Sequence, residues 1–166
     1  MIEIIEPNEL IIQKLDKLIE EIEIPNPPKS LKILTMDAFL ERPVPKYDIP
    51  HSNSAAIYFA SDEKHRDTLS KCTDILGHER NTNACMMFKG TQLPWHTNSN
   101  SPGIRTYYSK GGGVFKFIDE HGVQQISVDN EDGWTVREFQ LPKNRPFWHS
   151  VYATSNRFSF GFGSDA

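Results

Sequence analysis

Apolar residues at Ile11, Leu15, Leu18 and Ile22 fall four, three and four positions apart, the spacing of one face of an α-helix. Lys14, Lys17, Glu20 and Glu21 take the outer face. Asn8 is placed to cap this helix, and the prolines of PNPP (residues 25–28) end it, because proline has no amide proton to donate. The pattern fits a helix packed on the outside of a domain, and it equally fits a partner-binding helix. Residues 31–60 are mixed, with extended pieces KILTM and AAIYFA interrupted by Pro43, Pro45 and Pro50. A second helix is expected over residues 62–76, opened by Ser61 or Asp62 and stopped by Gly77. From Ala84 the period shortens: ACMMFKG, IRTYYS, GVFKFID, QQISV, WTVREFQL and RFSFGFG read as short β segments between turn signals. Six such segments predict a mainly β fold, a sandwich or barrel, with flanking helices.

Composition narrows this reading. A chain of 166 residues with 37% hydrophobic and 11% aromatic positions is an ordinary single domain, here taken as 1–166, with the helical part over 1–80. Ten glycines and eleven prolines suit a fold with many turns. The net charge of -4 gives no strong nucleic-acid signal. Two cysteines, Cys72 and Cys85, are too few for a disulfide scaffold or zinc ribbon and read as reduced thiols. The first ten residues carry acids where a secretory leader has basic groups, and no apolar run approaches a membrane span. A cytoplasmic protein without a membrane partner is therefore expected.

Of six histidines, His51, His65, His78 and His121 lie in polar or loop-like sequence and read as solvated. His96 and His149 differ: each is preceded by a tryptophan (Trp95, Trp148), sits at a strand edge and leads into a turn. Two histidines from distant strands with a third ligand beside one of them make the three-point face of non-haem iron oxygenases. Two structural histidines in an aromatic belt would give the same spacing. Arg157 and Ser159 are two apart on an expected strand and so share a face, while Phe158, Phe160 and Phe162 take the other. A guanidinium beside a hydroxyl is suited to grip a carboxylate. The sequence near Arg157 offers it no obvious acid.

Taken in order, WHTN (95–98), RTYY (105–108), GGGVFKFID (111–119), GWTVREF (133–139), WHSV (148–151) and RFS (157–159) resemble the 2-oxoglutarate and Fe(II)-dependent dioxygenases, in particular their prolyl-hydroxylase-like branch. The resemblance covers about half of the chain. It implies a double-stranded β-helix, or jelly roll, over about residues 81–163. It further implies iron held by His96 and His149, with Asn98 at the position of the family's metal-binding acid. The 2-oxoglutarate cosubstrate would be held by Arg157 and Ser159, with Tyr108 as a further hydrogen-bond donor and Arg105 as a weaker candidate.

Asn98 departs from the family. Its amide oxygen can sit where the carboxylate sits, but it is neutral and a weaker donor. Three outcomes are open: Asn98 binds the metal, the position is left to water or an anion as in the halogenating relatives, or the jelly roll is a degenerate binding protein. The expected function is an iron- and 2-oxoglutarate-dependent oxygenase that hydroxylates a peptide, metabolite or nucleobase. The rivals are a metal-free jelly-roll binding protein and a cupin-like metalloenzyme that does not use 2-oxoglutarate. The loops around residues 40–54 and 97–104 are expected to line the mouth of the pocket.

Overall fold

The computed structural model describes residues 2–46, 56–59, 62–97 and 102–166. Among these, ten strands form two antiparallel sheets. The larger sheet has the order β1 (Ile2–Ile5), β8 (Trp134–Leu141), β5 (Gly103–Lys110), β10 (Arg157–Asp165), β3 (Arg80–Met87), β2 (Ala56–Tyr58). The smaller has the order β4 (Gln92–His96), β9 (His149–Ala153), β6 (Gly113–Ile118), β7 (Gln124–Val128). The fold is thus mainly β with flanking helices, as expected, and compatible with a β-sandwich. No helix among the described residues is long and apolar enough to cross a membrane.

Both faces of the larger sheet are covered, and this decides where its side chains go. Its outer face packs on α1 (Glu9–Glu20) and α3 (Glu63–Leu76): Ile11, Leu15, Leu18, Leu69 and Cys72 meet Met86, Tyr108, Val136, Phe158, Phe160 and Phe162. Its inner face meets the smaller sheet through Met87, Phe115, Phe139, Leu141, Phe147 and Val151. The outer face of the smaller sheet is covered by α2 (Met36–Glu41), whose Phe39 packs on Val114 and Tyr152.

Both expected helices are present. The Asn8 side chain accepts from the backbone N–H groups of Leu10 and Ile11, and Asp62 and Gly77 bracket α3, the glycine with φ 70°. Ile22 lies just past the end of α1. KILTM is a correction: it is not a strand but the lead into α2, whose N-cap is Thr35. His65 is also corrected. It is buried against the Phe59 ring rather than solvated, while His78 bonds the hydroxyls of Ser164 and Thr106. His51 lies outside the described residues. Cys72 and Cys85 are both buried thiols without a disulfide.

Two irregularities in strand pairing aim residues at the space between the sheets. In β3 the pairing with β10 passes from Asn83 to Asn81 while β10 advances one residue, so Thr82 is extra. In β4 the three-residue step from Leu93 to His96 faces a two-residue step from Val151 to His149. Pro94, which cannot donate to a ladder, falls within that irregularity. The bulge turns both Leu93 and His96 toward the inside and Trp95 to the outside.

Outside, Trp95 helps to enclose an ammonium group. Lys116 is fully buried, its Nζ lying 4.5 Å from the Trp95 ring centre and 4.2 Å from that of Phe39. It donates to the Phe39 carbonyl oxygen and, at 3.4 Å, to that of Arg42. The Trp95 indole N–H donates to the same Arg42 carbonyl at 2.9 Å. Burial, and to a lesser degree the Arg42 charge, lowers the Lys116 pKa from 10.5 to about 8, despite the carbonyls and rings that favour the cation. The unfolded chain therefore holds this proton more tightly than the folded one, and stability should rise between pH about 8 and 10.5. Urea denaturation across that window should show a gain in wild type that Lys116→Met lacks. Parallel pH profiles for the two proteins would refute the assignment.

Candidate functional site

The space between the sheets holds a cavity of about 320 Å³. His96, His149, Arg157 and Ser159, four of the residues singled out in the sequence, all line it. The structure therefore brings together residues up to 63 positions apart along the chain.

The two histidines face each other across the β4–β9 pair. Their ring centres are 4.1 Å apart and both are buried. Each Nδ1 lies against the carbonyl oxygen two residues earlier, His96 on Pro94 at 2.7 Å and His149 on Phe147 at 2.9 Å. A carbonyl only accepts, so Nδ1 carries the proton in the neutral ring, and Nε2 is the basic nitrogen. That is the tautomer of a metal-ligating imidazole oriented by a backbone carbonyl. Phe115 and Phe147 stack on His149 at 5.7 and 5.2 Å, fixing its plane. Two imidazoles presented on neighbouring strands are a donor set that iron accepts. Asn98 lies outside the described residues. Among those described, no group of three His, Cys, Asp or Glu side chains is placed to hold a metal.

Arg157 is buried as expected, and it has an acid partner from a distant part of the sequence. Its Nε donates to Asp129 Oδ2 at 2.6 Å, and Arg137 Nη1 donates to Asp129 Oδ1 at 2.5 Å. Asp129 follows β7, 28 residues before Arg157. Arg137 also donates to Ser127, through Nε to the hydroxyl and Nη2 to the carbonyl. Burial alone would raise the Asp129 pKa, but the Arg157 and Arg137 guanidiniums overcome it and hold the carboxyl below its usual range. Arg137 is lowered by burial and by the like charge of Arg157, against the pull of Asp129. Two guanidiniums thus share one carboxylate, so this group of three carries a net positive charge.

The serine assignment changes in detail. Ser159 lines the cavity, but the hydroxyl that meets Arg157 is that of Ser109, which accepts from Nη2 at 2.9 Å. Ser109 is the cross-strand partner of Ser159, so both face inward. Ser159 instead accepts from the Asn83 amide at 3.4 Å. Tyr108 is a correction. It pairs with Phe160 on the outer face, packs among Phe162 and Trp134, and its hydroxyl accepts from the Asn8 backbone N–H at 3.1 Å. The inward tyrosine is Tyr107, paired with Gly161. Arg105, the weaker candidate, bonds the carbonyls of Ile104 and Ser164 and the carboxylate of Asp165, away from the cavity lining.

Two glycines make the room. A Cβ at Gly113 would come within 2.7 Å of Arg157 Cδ and Nε, and one at Gly161 within 2.6 Å of Thr82 Oγ1 and 2.8 Å of the Tyr107 ring. The rest of the wall combines apolar Met87, Leu93, Phe115, Phe139 and Val151 with polar Tyr58, Thr82 and Asn83. Cys85 adds a thiol whose pKa burial pushes up, which keeps it protonated and unreactive. Of the loops expected at the mouth, residues 40–46, 97 and 102–104 contribute no lining side chain, and 47–54 and 98–101 lie outside the described residues.

Two substitutions check these placements. Asp129→Asn strips the shared anion from two buried guanidiniums and should cost about 3–5 kcal/mol in denaturant unfolding; a loss under about 1 kcal/mol would sink the triad as a structural unit. Tyr108→Phe should cost about 1 kcal/mol by orphaning the Asn8 amide, with the cavity's ligand affinity unchanged. No family model matches the chain, and no curated protein matches it.

Proposed function

We propose that the chain is a non-haem iron, 2-oxoglutarate-dependent oxygenase, and that its two sheets form a double-stranded β-helix. The observation that carries this reading is the meeting of a histidine pair and a buried arginine at one cavity. Strand order supports the fold. From β3 to β10 the chain alternates between sheets, apart from the β6–β7 hairpin and its return, giving β8-β5-β10-β3 opposite β4-β9-β6-β7. Such an order supports a jelly roll of eight strands.

His96 and His149 would hold the iron through Nε2, with Asn98 as the third ligand. Bound there, iron and 2-oxoglutarate together supply the activation of dioxygen needed to hydroxylate a C–H bond. The protein's own tasks are geometric and electrostatic. Arg157, held from one side by Asp129 and from another by Ser109, presents a fixed guanidinium to the far carboxylate of the cosubstrate. The unbalanced positive charge of the triad favours a dianion over a neutral ligand, and a neutral Asn98 leaves that dianion to offset the charge of the metal. Phe115, Phe139, Leu93 and Val151 keep water from the space between them. The pocket suits a small cosubstrate with part of a larger substrate, since ligand sites start at roughly 300 Å³.

The guanidinium pair would serve a metal-free carboxylate-binding protein equally well, so one experiment must separate the readings. Anaerobic titration with Fe(II) and 2-oxoglutarate should produce the visible charge-transfer band of the chelate. His149→Ala should abolish it, and Arg157→Ala should weaken 2-oxoglutarate binding by about 2–5 kcal/mol. Tight 2-oxoglutarate binding without the band would favour the metal-free protein. Unchanged affinity in Arg157→Ala would remove the arginine's role.

A further inference from the structure

Among the described residues four strands lie at sheet edges, β1 and β2 in the larger sheet and β4 and β7 in the smaller. An edge strand offers unpaired N–H and C=O groups to any other strand, so natural sheets protect their edges. Three of these edges are protected. β1 carries Glu3 and is followed by Glu6, β2 has only three residues, and β4 holds Pro94 and a shift in register. β7 has none of these devices: its pairing with β6 runs without a shift, and residues 122–128 include no charged side chain and no proline. It exposes apolar surface instead, Ile126 being 49% and Val128 60% accessible.

The ladder with β6 fixes which backbone groups are free. The Asp129 N–H donates to the Gly113 carbonyl and the Asp119 N–H to the Val123 carbonyl, so the odd-numbered residues of β7 turn their backbone groups toward β6. The N–H and C=O groups of Gln124, Ile126 and Val128 therefore point away from the sheet. On the outer face, Ile126 and Val128 line a groove of about 290 Å³ with Val114 and with Met36 and Leu40 of α2.

We propose that β7 is a self-association edge, at which two copies of the chain pair β7 with β7, antiparallel, about a two-fold axis at Ile126. In that register Ile126 meets Ile126 of the second copy and Gln124 meets its Val128. Every outward N–H and C=O of the strand then finds a partner, each residue pair exchanging two hydrogen bonds. The isoleucines and valines of both copies join in one apolar strip on the outer face. Chains of net charge -4 repel one another, and this uncharged run is where two of them can meet without opposing like charges. Pairing uses up the edge in both copies, so association stops at the dimer. The proposal does not depend on the oxygenase reading.

Sedimentation equilibrium of the whole chain tests it. A short strand interface should give a Kd on the order of 100 μM. A chain that is still monomeric at ten times that concentration overturns the proposal. Hydrogen exchange at the Gln124, Ile126 and Val128 amides should slow as concentration rises, while Gln125 and Ser127, already paired with β6, stay unchanged; exchange at the first three that ignores concentration would place any dimer on another face and overturn it. Ile126→Lys and Ile126→Glu each set like charges across the axis and should be monomeric alone, whereas an equimolar mixture should associate, because a residue meets itself only at the axis. Self-association of either variant, or a mixture that stays monomeric, counts against the proposal equally. Gln124→Pro removes an outward donor and none toward β6, so it should melt as wild type does and associate about tenfold more weakly. Wild-type association in Gln124→Pro overturns the pairing.

Discussion

Asp129, gripped from two sides by Arg137 and Arg157, is the interaction on which the rest of the structure turns. The carboxylate follows a strand of the smaller sheet, and both guanidiniums come from the larger one. Its backbone N–H also donates to the Gly113 carbonyl at 2.9 Å, tying the turn to β6. The two sheets are therefore joined by apolar packing around Phe115, Phe139 and Phe147 and by a buried ionic bridge beside it. Such a bridge adds little net stability over an apolar replacement, since three charges must be stripped of water. What it contributes is direction, because salt-linked groups fit in few orientations. It also leaves the group of three with a net positive charge beside the cavity.

Much of the larger outline was legible in the sequence. The first helix followed from apolar spacing with Asn8 as cap, the second from Asp62 and Gly77, and six strands from alternation between turns. The inward placing of Arg157 and Ser159 followed from the three phenylalanines on the opposite face. What escaped had physical causes. β4 and β9 are short, and one carries a proline and a bulge, so neither shows clean alternation. Strand β1 has four residues and is recruited by the edge of β8 rather than by its own pattern.

The two tyrosines show the limit most clearly. Tyr107 and Tyr108 are neighbours on a strand whose two faces are both covered, one by helices and one by a sheet. Alternation then gives the period but not the phase. Pairing with β10 sets the phase: Gly161 lies opposite Tyr107, and Phe160 opposite Tyr108. The same ambiguity hid Arg137, which alternates with Val136 and Glu138 on a strand where apolar and polar residues occur on both sides. Asp129 was hidden differently, inside the acidic turn DNEDG, where an acid ordinarily faces solvent.

The glycines at 113 and 161 bear on how such a cavity can diverge. Each occupies a spot, one in each sheet, where even a methyl group collides with an arginine or a tyrosine, so these positions admit no gradual change in shape. Leu93 and Val151 in the smaller sheet differ, because their side chains can be trimmed or lengthened one carbon at a time. Paralogues that came to accept bulkier or slimmer molecules would then differ at such aliphatic positions and share the two glycines.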